Sequence, residues 1–311
     1  MRSALLFICV ALATACANDT PPATPEVPTR EVALQDGSTL RVPERAKRIL
    51  PMSASAVDYV ISLAPREHIV AVPSTAANYS VGLQGRDPWP ADRLVLEFSA
   101  EAILAHNPDL VIAHVWQVPA EALDVVESAG VPVLRLGTVK SLQDVLDTIH
   151  LVASAVDEPR AGAQLVHELQ QRAKTLREGA GERSALRVLS YTNFGSGGWS
   201  AGSGTTAHLM IELAGMQNAG AADDRVGHYE LDIERLLVLD PDVILFSEST
   251  DEYSASRSFL ENESALSSLS ALERGWLVSL PAALFSTNSH HLMDSAERLA
   301  REVDALLERD R

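Results

Sequence analysis

Short runs of apolar residues alternate along the chain with stretches in which apolar residues recur every three or four positions. The runs are RILPM at 48–52, HIVAVP at 68–73, LVIA at 110–113, VPVLRLG at 131–137, LRVLSYT at 186–192, VILF at 243–246 and GWLVSLP at 275–281. The runs predict buried strands, and the amphipathic stretches between them predict helices. Strands that alternate with helices indicate mostly parallel sheets covered on both faces.

One pattern occurs twice, once in each half of the chain. The two copies are EAILAHNPDLVIA at 101–113 and ERLLVLDPDVILF at 234–246. In each copy the proline ends a helix, the following aspartate turns the chain, and the apolar run enters a sheet. Glu101 and Glu234 stand near the helix starts, where a carboxylate stabilises the helix dipole. The repeat predicts two similar lobes.

A single long helix is predicted between the two halves, with Pro159 at its start and Gly179 past its end. The fold class is therefore α/β, with two similar lobes of mostly parallel sheet joined by one long α-helix. The predicted segments are a signal peptide (1–15), a lipidated cysteine and proline-rich tether (16–30), an N-terminal lobe (31–157), the interlobe helix (158–180) and a C-terminal lobe (181–311).

The N-terminus has the features of an export signal. Arg2 precedes twelve mostly apolar residues, a stretch too short to span a bilayer. It ends at Cys16, and LATAC resembles the lipobox of bacterial lipoproteins, although Ala13 stands where a large aliphatic residue is usual. A cleaved signal without lipidation is the alternative. We expect an exported, periplasmic or cell-surface lipoprotein whose tether, 17–29, contains four prolines.

Composition narrows the class of protein further. Hydrophobic residues make up 46% and charged residues 22% of the 311 residues, which is typical of a globular protein. The net charge of −17 makes nucleic acid an unsuitable partner. Cys9 and Cys16 are the only cysteines, so the mature chain depends on its core rather than on disulfides.

The sharpest enzymatic motif is GWSAG at 198–202, which matches the nucleophile elbow of serine hydrolases. Ser200 would be the nucleophile, and His290 lies downstream where a base is needed. The segment before Trp199 is rich in glycine and predicts a loop rather than the apolar strand that an elbow requires. A hydrolase is therefore the alternative from a different class, and we expect no catalytic residues, metal site or resident cofactor.

Aromatic residues are only 5% of the chain, and several fall in predicted loops or at strand ends. Ligands of open α/β sheets bind at the carboxyl ends of strands, so two facing lobes would form a cleft walled by these rings. The candidate ligand-binding residues are Ser53, Tyr79, Trp89, Trp116, Phe194, Trp199, Tyr253 and Phe285.

Four segments resemble one family in the same order along the chain. They are KRILPMSASAVDYVISLAPREHIVAVP at 47–73, AEAILAHNPDLVIA at 100–113, AGSGTTAHLMIELAGMQNAG at 201–220 and LDIERLLVLDPDVILFS at 231–247. They are similar to segments of the ABC-transporter substrate-binding proteins that capture iron-siderophores, vitamin B12 and haem. Asp58 stands where that family usually has Glu, and the pair His290 and His291 is unusual in it.

The resemblance implies a bilobed binding protein with a rigid interlobe helix and no catalysis that delivers a bulky ligand to an ABC-transporter permease dimer, and we expect it to be a monomer. An iron-siderophore or a corrinoid is the expected ligand, and haem is the alternative. Haem would need an axial Tyr or His, for which Tyr79 and His290 are the candidates. The resemblance also implies that Glu101 and Glu234 form salt bridges with arginines of the two permease subunits.

Overall fold

The computed structural model describes residues 28–193, 198–248 and 254–311. The predicted signal peptide, Cys16, Phe194 and Tyr253 lie outside the described residues. Within the described part of the chain, no helix is both long and apolar enough to cross a membrane.

The N-terminal lobe opens with an antiparallel hairpin and continues as a parallel sheet with helices on both faces. Its strands are β1 (Thr29–Ala33), β2 (Thr39–Pro43), β3 (Ile49–Pro51), β4 (Val72–Pro73), β5 (Leu94–Val95), β6 (Leu110–His114) and β7 (Val133–Leu136). Its helices are α1 (Ala54–Leu63), α2 (Ala76–Tyr79), α3 (Ala100–Leu104), α4 (Ala120–Ser128) and α5 (Leu142–Ala155). Strands β3, β6 and β7 pair in parallel, and β4 pairs in parallel with β5. Helix α5 is additional to the predicted elements.

Helix α6 (Pro159–Glu178) connects the lobes and lies within the predicted range 158–180. Proline occupies its first turn, where its missing N–H costs no helical hydrogen bond, and the helix ends at Gly179. It packs against α5 of the N-terminal lobe and against the C-terminal lobe. One helix therefore contacts both lobes.

The C-terminal lobe contains a four-stranded parallel sheet and a three-stranded antiparallel sheet. Its strands are β8 (Arg187–Ser190), β9 (Thr192–Asn193), β10 (Gly198–Ala201), β11 (Gln217–Asn218), β12 (His228–Leu231), β13 (Val243–Glu248) and β14 (Leu277–Pro281). Its helices are α7 (Thr206–Leu213), α8 (Ile233–Leu239), α9 (Ser254–Asn262), α10 (Ser270–Glu273), α11 (Ala282–Phe285) and α12 (Leu292–Arg309). The parallel order is β11-β8-β13-β14, and the antiparallel order is β12-β10-β9. The sequence predicts a loop before Trp199, but Trp199 itself lies in strand β10.

The buried apolar side chains form three clusters. Alternate residues of each parallel strand point to opposite faces, so Leu110 and Ile112 of β6 join one cluster while Val111 joins another. The central cluster is shared by both lobes, since it includes Leu110 of the N-terminal sheet and Val243 of the C-terminal sheet. The two lobes are therefore joined by a continuous apolar core as well as by α6, and the architecture is the bilobed α/β fold that the sequence predicts.

Candidate functional site

The carboxyl ends of the two parallel sheets meet at the start of α1. This helix begins directly after β3, at the carboxyl end of the N-terminal sheet. Its Ser55 Oγ accepts a hydrogen bond from the backbone N–H of Asn288 in the C-terminal lobe at 3.0 Å. Helix α2 also contacts α11. The junction lies where open α/β sheets bind ligands.

A cavity of about 370 Å³ opens on the C-terminal side of this junction. It is lined by Ser190, Thr192, Trp199, Ser200, Ala201, Thr206, Ala207, His228, Phe285, Ser286 and Asn288. The aromatic rings of Trp199 and Phe285 therefore share one cavity with several hydroxyl, amide and imidazole groups, and ligand binding by these two residues stays a prediction. Larger cavities of about 510 and 660 Å³ lie beside α8 and β2, and neither includes Ser55 or Asn288.

The N-terminal lobe exposes apolar side chains where its strands end. Tyr79 is 37% exposed, Leu96 75%, Val115 52% and Trp116 51%. Leu96 follows β5, and Val115 and Trp116 follow β6, so these side chains lie at the carboxyl end of parallel strands. Exposed apolar side chains at the carboxyl ends of parallel strands are typical of a ligand contact. Leu96 and Val115 are not aromatic and are absent from the sequence-based candidates. Their positions directly after buried strands are the sequence signal for them.

Beneath Trp116 lies a buried pair, Ser53 and His114. Ser53 caps α1 by accepting the N–H of Ala56 at 2.9 Å, and its Oγ also lies 2.7 Å from His114 Nδ1. Burial lowers the pKa of His114 to about 4, so the ring is neutral at neutral pH. His114 Nε2 is buried without a hydrogen-bond partner among the described residues, and the ring lies 5.3 Å from that of Trp116. Ser53 is thus buried with its hydroxyl bonded inside the fold, and its predicted role in ligand binding stays a prediction.

Trp89 is buried, in contrast to the exposed side chains that follow β5 and β6. Its side chain is 9% exposed, and the guanidinium groups of Arg66 and Arg93 each lie 4.7 Å from the ring centre. Arg93 also donates hydrogen bonds to backbone carbonyls of Ile69 and Val70. These contacts pack Trp89 into the lobe and leave it no open ring face for a ligand.

The structure does not assemble the residues of the hydrolase alternative. Ser200 lies inside strand β10 rather than at a turn between a strand and a helix, and its Oγ has no partner among the described residues. His290 Nε2 instead lies 3.1 Å from Ser62 Oγ, at the lobe junction. A nucleophile elbow needs a serine exposed at a strand-to-helix turn beside its base. Neither condition is met here.

The described residues contain no group of three or more His, Cys, Asp or Glu side chains placed to hold a metal ion. The rings of His290 and His291 lie 4.2 Å apart, but His291 Nδ1 bonds to Asp294 and His290 is 5% exposed. Of the two residues considered as axial ligands for haem, Tyr79 is therefore accessible and His290 is not.

Glu101 and Glu234 occupy equivalent places in the two lobes. Each is the second residue of a short helix, α3 or α8, and each side chain is exposed. The caps are equivalent too, since Ser99 accepts an N–H of α3 and Asp232 accepts one of α8. Two like carboxylates are therefore presented on matching helices, as the repeat predicts.

Known proteins resemble this chain in sequence. Residues 63–284 match the family model described as periplasmic binding protein. The chain is 23% identical over 273 residues to the uncharacterized ABC transporter substrate-binding lipoprotein YvrC of Bacillus subtilis, covering 80% of this chain and 83% of that protein. It is 26% identical over 207 residues to the vitamin B12-binding protein of Yersinia pseudotuberculosis, covering 64% of this chain and 72% of that protein.

A solved structure shares the fold. The periplasmic heme-binding protein BhuT, in complex with two hemes, superposes with a TM-score of 0.71 at 26% identity, covering 84% of this chain and 99% of that one. The bilobed arrangement described above is thus the arrangement of a known binding protein.

Proposed function

Because the chain belongs to the periplasmic binding protein family, we propose that it captures a large metal chelate of the corrinoid or iron-siderophore class and delivers it to an ABC-transporter permease. It binds this ligand without transforming it. The similarity to a vitamin B12-binding protein favours a corrinoid within this class.

The observation that carries the proposal is a set of exposed apolar side chains at the end of the N-terminal sheet, which we call the apolar rim. Leu96, Val115 and Trp116 are each more than half exposed at the end of the N-terminal sheet. An apolar side chain that stays in water forgoes about 1.5–3 kcal/mol of burial free energy, so such a set stabilises binding when a ligand covers it. The cavity with Trp199 and His228 adds stacking area and hydrogen-bonding groups. A large ligand with a broad face and polar arms matches both surfaces.

Tryptophan fluorescence tests the proposal directly. Cyanocobalamin and a set of ferric siderophores are titrated into the protein, and quenching is followed. Trp116 is half exposed, so its fluorescence should be quenched, and Trp116→Phe should remove much of the quenching. Trp276 is fully buried, so its fluorescence should not be quenched. No quenching by any of these ligands would refute the ligand class. Esterase turnover that disappears in Ser200→Ala would refute the binding role itself.

Haem is a second candidate because of His114. A neutral imidazole can ligate iron through the nitrogen that its other hydrogen bond leaves free, and Ser53 leaves Nε2 free. The relative BhuT is a heme-binding protein. Haem binding through His114 would require Trp116 to move off the ring, since His114 has no exposed surface here. A Soret band of added haemin that shifts on binding, and is altered by His114→Ala but not by His106→Ala, would select haem over a corrinoid.

The partner and the location complete the proposal. Glu101 and Glu234 are proposed to dock the two lobes on the two permease subunits through salt bridges to arginines. Their exposure on equivalent helices supports this role. Export and lipidation at Cys16 are proposed from the sequence, and the similarity to a substrate-binding lipoprotein supports them. Mass spectrometry of the membrane-extracted protein would detect the lipid, and an unmodified Cys16 would refute the anchor.

A further inference from the structure

Four hydrogen bonds connect α1 of the N-terminal lobe to the segment that precedes α12 in the C-terminal lobe. They are Asn288 N to Ser55 Oγ at 3.0 Å, Ser289 Oγ to Asp58 Oδ2 at 2.9 Å, Tyr59 Oη to Asn288 O at 3.3 Å, and Ser62 Oγ with His290 Nε2 at 3.1 Å. We call these seven residues the interlobe clasp. The clasp is a second attachment between lobes that α6 already joins.

Asp58 lies at the centre of the clasp. Its carboxylate is fully buried and accepts hydrogen bonds from Ser80 Oγ at 2.6 Å, Gly82 N at 2.9 Å and Ser289 Oγ at 2.9 Å. Burial raises the pKa of Asp58, while nearby His291 and these donors act to lower it. A buried carboxylate is costly unless every oxygen is hydrogen-bonded, so removal of a donor is felt strongly. Ser289 is the donor that comes from the other lobe.

The same segment forms one wall of the ligand cavity. Phe285, Ser286 and Asn288 line the cavity, and they directly precede Ser289. Both backbone polar groups of Asn288 are bound by α1, the N–H by Ser55 and the carbonyl by Tyr59. The position of this wall therefore depends on contacts with the opposite lobe.

We propose that α1 positions the cavity wall of the C-terminal lobe through the interlobe clasp, with Ser55 and Asp58 as positioning residues for ligand binding. The part that concerns ligand affinity rests on the proposed function, whereas the coupling between the lobes does not. We expect the clasp to limit changes in the spacing of the two lobes, because closing or opening the cleft would break hydrogen bonds at the junction.

Two substitutions test the clasp from opposite sides. Ser289→Ala removes the hydroxyl that donates to the Asp58 carboxylate from the other lobe. Ser55→Ala removes the hydroxyl that accepts the backbone N–H of Asn288. Ser80→Ala is the matched control, because it removes an equally buried serine from the same carboxylate but leaves the interlobe bonds in place. Hydrogen exchange is measured by NMR on the full chain, with thermal unfolding to confirm that each variant folds.

For each variant, exchange is measured at a backbone amide whose own hydrogen-bond acceptor has not been substituted. In Ser289→Ala, the amide of Asn288 should exchange about tenfold faster, because its bond to Ser55 opens with the clasp. In Ser55→Ala, the amide of His291, which donates to Ser289 Oγ, should exchange faster by a similar factor. Both amides should stay at the wild-type rate in Ser80→Ala. Rates in both interlobe variants that match those of Ser80→Ala would overturn the coupling.

Cyanocobalamin is the probe for the effect on binding. Ser55→Ala and Ser289→Ala should each raise the Kd for cyanocobalamin about tenfold, and Ser80→Ala should raise it less than about threefold. Equal affinities in all three variants would overturn the positioning role. Cyanocobalamin that fails to bind the wild-type protein would instead count against the proposed ligand, and the exchange rates would still decide the coupling.

Discussion

Asp109 and Asp242 make the same pair of hydrogen bonds in the two lobes. The carboxylate of Asp109 accepts the N–H of Arg48 at 3.0 Å, and its own N–H donates to the carbonyl of Arg48 at 2.9 Å. Asp242 does the same with Arg187, at 2.8 and 2.9 Å. Each pair joins the start of one parallel strand to the start of its neighbour, β6 to β3 and β13 to β8. The repeated Pro-Asp thus sets the strand register in both lobes.

The first prediction follows from this role. Asp109→Ala and Asp242→Ala should each lower the free energy of unfolding by about 1–3 kcal/mol, because the first removes two charge-assisted hydrogen bonds at a strand start and the second removes one. Urea unfolding at neutral pH measures the change. Asp92→Ala is the control, since Asp92 is exposed. Variants at 109 and 242 that unfold at the same urea concentration as Asp92→Ala would show that the pairing is not needed for stability.

The second prediction concerns docking. Glu101→Arg combined with Glu234→Arg should abolish permease-dependent uptake, because like charges would then meet across the interface. Ligand affinity and melting temperature should stay near those of the wild type, since both side chains are exposed. Uptake by cells that carry the cognate permease measures the effect.

The matched control for docking is Glu121→Arg with Glu273→Arg. Both glutamates lie in the first turns of other helices and are exposed, and the change in net charge is the same. This control should support uptake at close to the wild-type rate. An equal loss of uptake in both double variants would show that overall charge, rather than these two positions, matters.

The third prediction concerns the apolar rim. Trp116→Ala should weaken cyanocobalamin binding by about tenfold, or about 1.4 kcal/mol, because it removes the largest exposed ring at the sheet edge. Isothermal titration calorimetry measures the affinity. Val125→Ala is the control, because Val125 is similarly exposed, at 53%, but lies on α4. Affinity that is lost equally in both variants would remove the rim from the site.

The fourth prediction is acid sensitivity. Burial, followed by the charge of neighbouring His291, lowers the pKa of His290 from 6.5 to about 3. In the unfolded chain this histidine takes up a proton near pH 6.5, whereas in the folded protein it stays neutral until about pH 3. The stabilisation is therefore present above pH 6.5 and is lost as the pH falls toward 3. His114, with its pKa lowered to about 4, acts in the same direction.

Unfolding by urea at pH 7 and pH 5 measures this effect. The contribution of His290 between pH 6.5 and pH 5 should be about 2 kcal/mol, at about 1.4 kcal/mol per pH unit. His290→Gln should reduce the loss of stability between the two pH values by that amount. His167→Gln, on the exposed face of α6, should not change it. The same loss in His290→Gln as in the wild type would contradict the prediction.

Positions in the sequence suggest candidate ligand-binding residues, but they do not show which of these side chains a ligand can reach. Trp199 in β10 and Phe285 at the end of α11 line the cavity at the lobe junction, whereas Trp116 follows β6 and is half exposed. Trp89 has an equally suggestive position, yet two arginines enclose it. Side-chain exposure depends on residues far apart in sequence, so no local pattern distinguishes Trp89 from Trp116.

The sequence by itself determined the two lobes, their parallel sheets and the connecting helix, because each depends on local signals. Hydrophobic periodicity, Pro159 and the repeated Pro-Asp act within a few residues of their own position. The tertiary structure alone decided the partners of Asp58, the burial of His114 and the pairing of β10 in an antiparallel sheet. Asp58 and Ser289 are separated by 231 positions. They meet only after the two lobes have packed against each other, and that contact is a property of the whole fold.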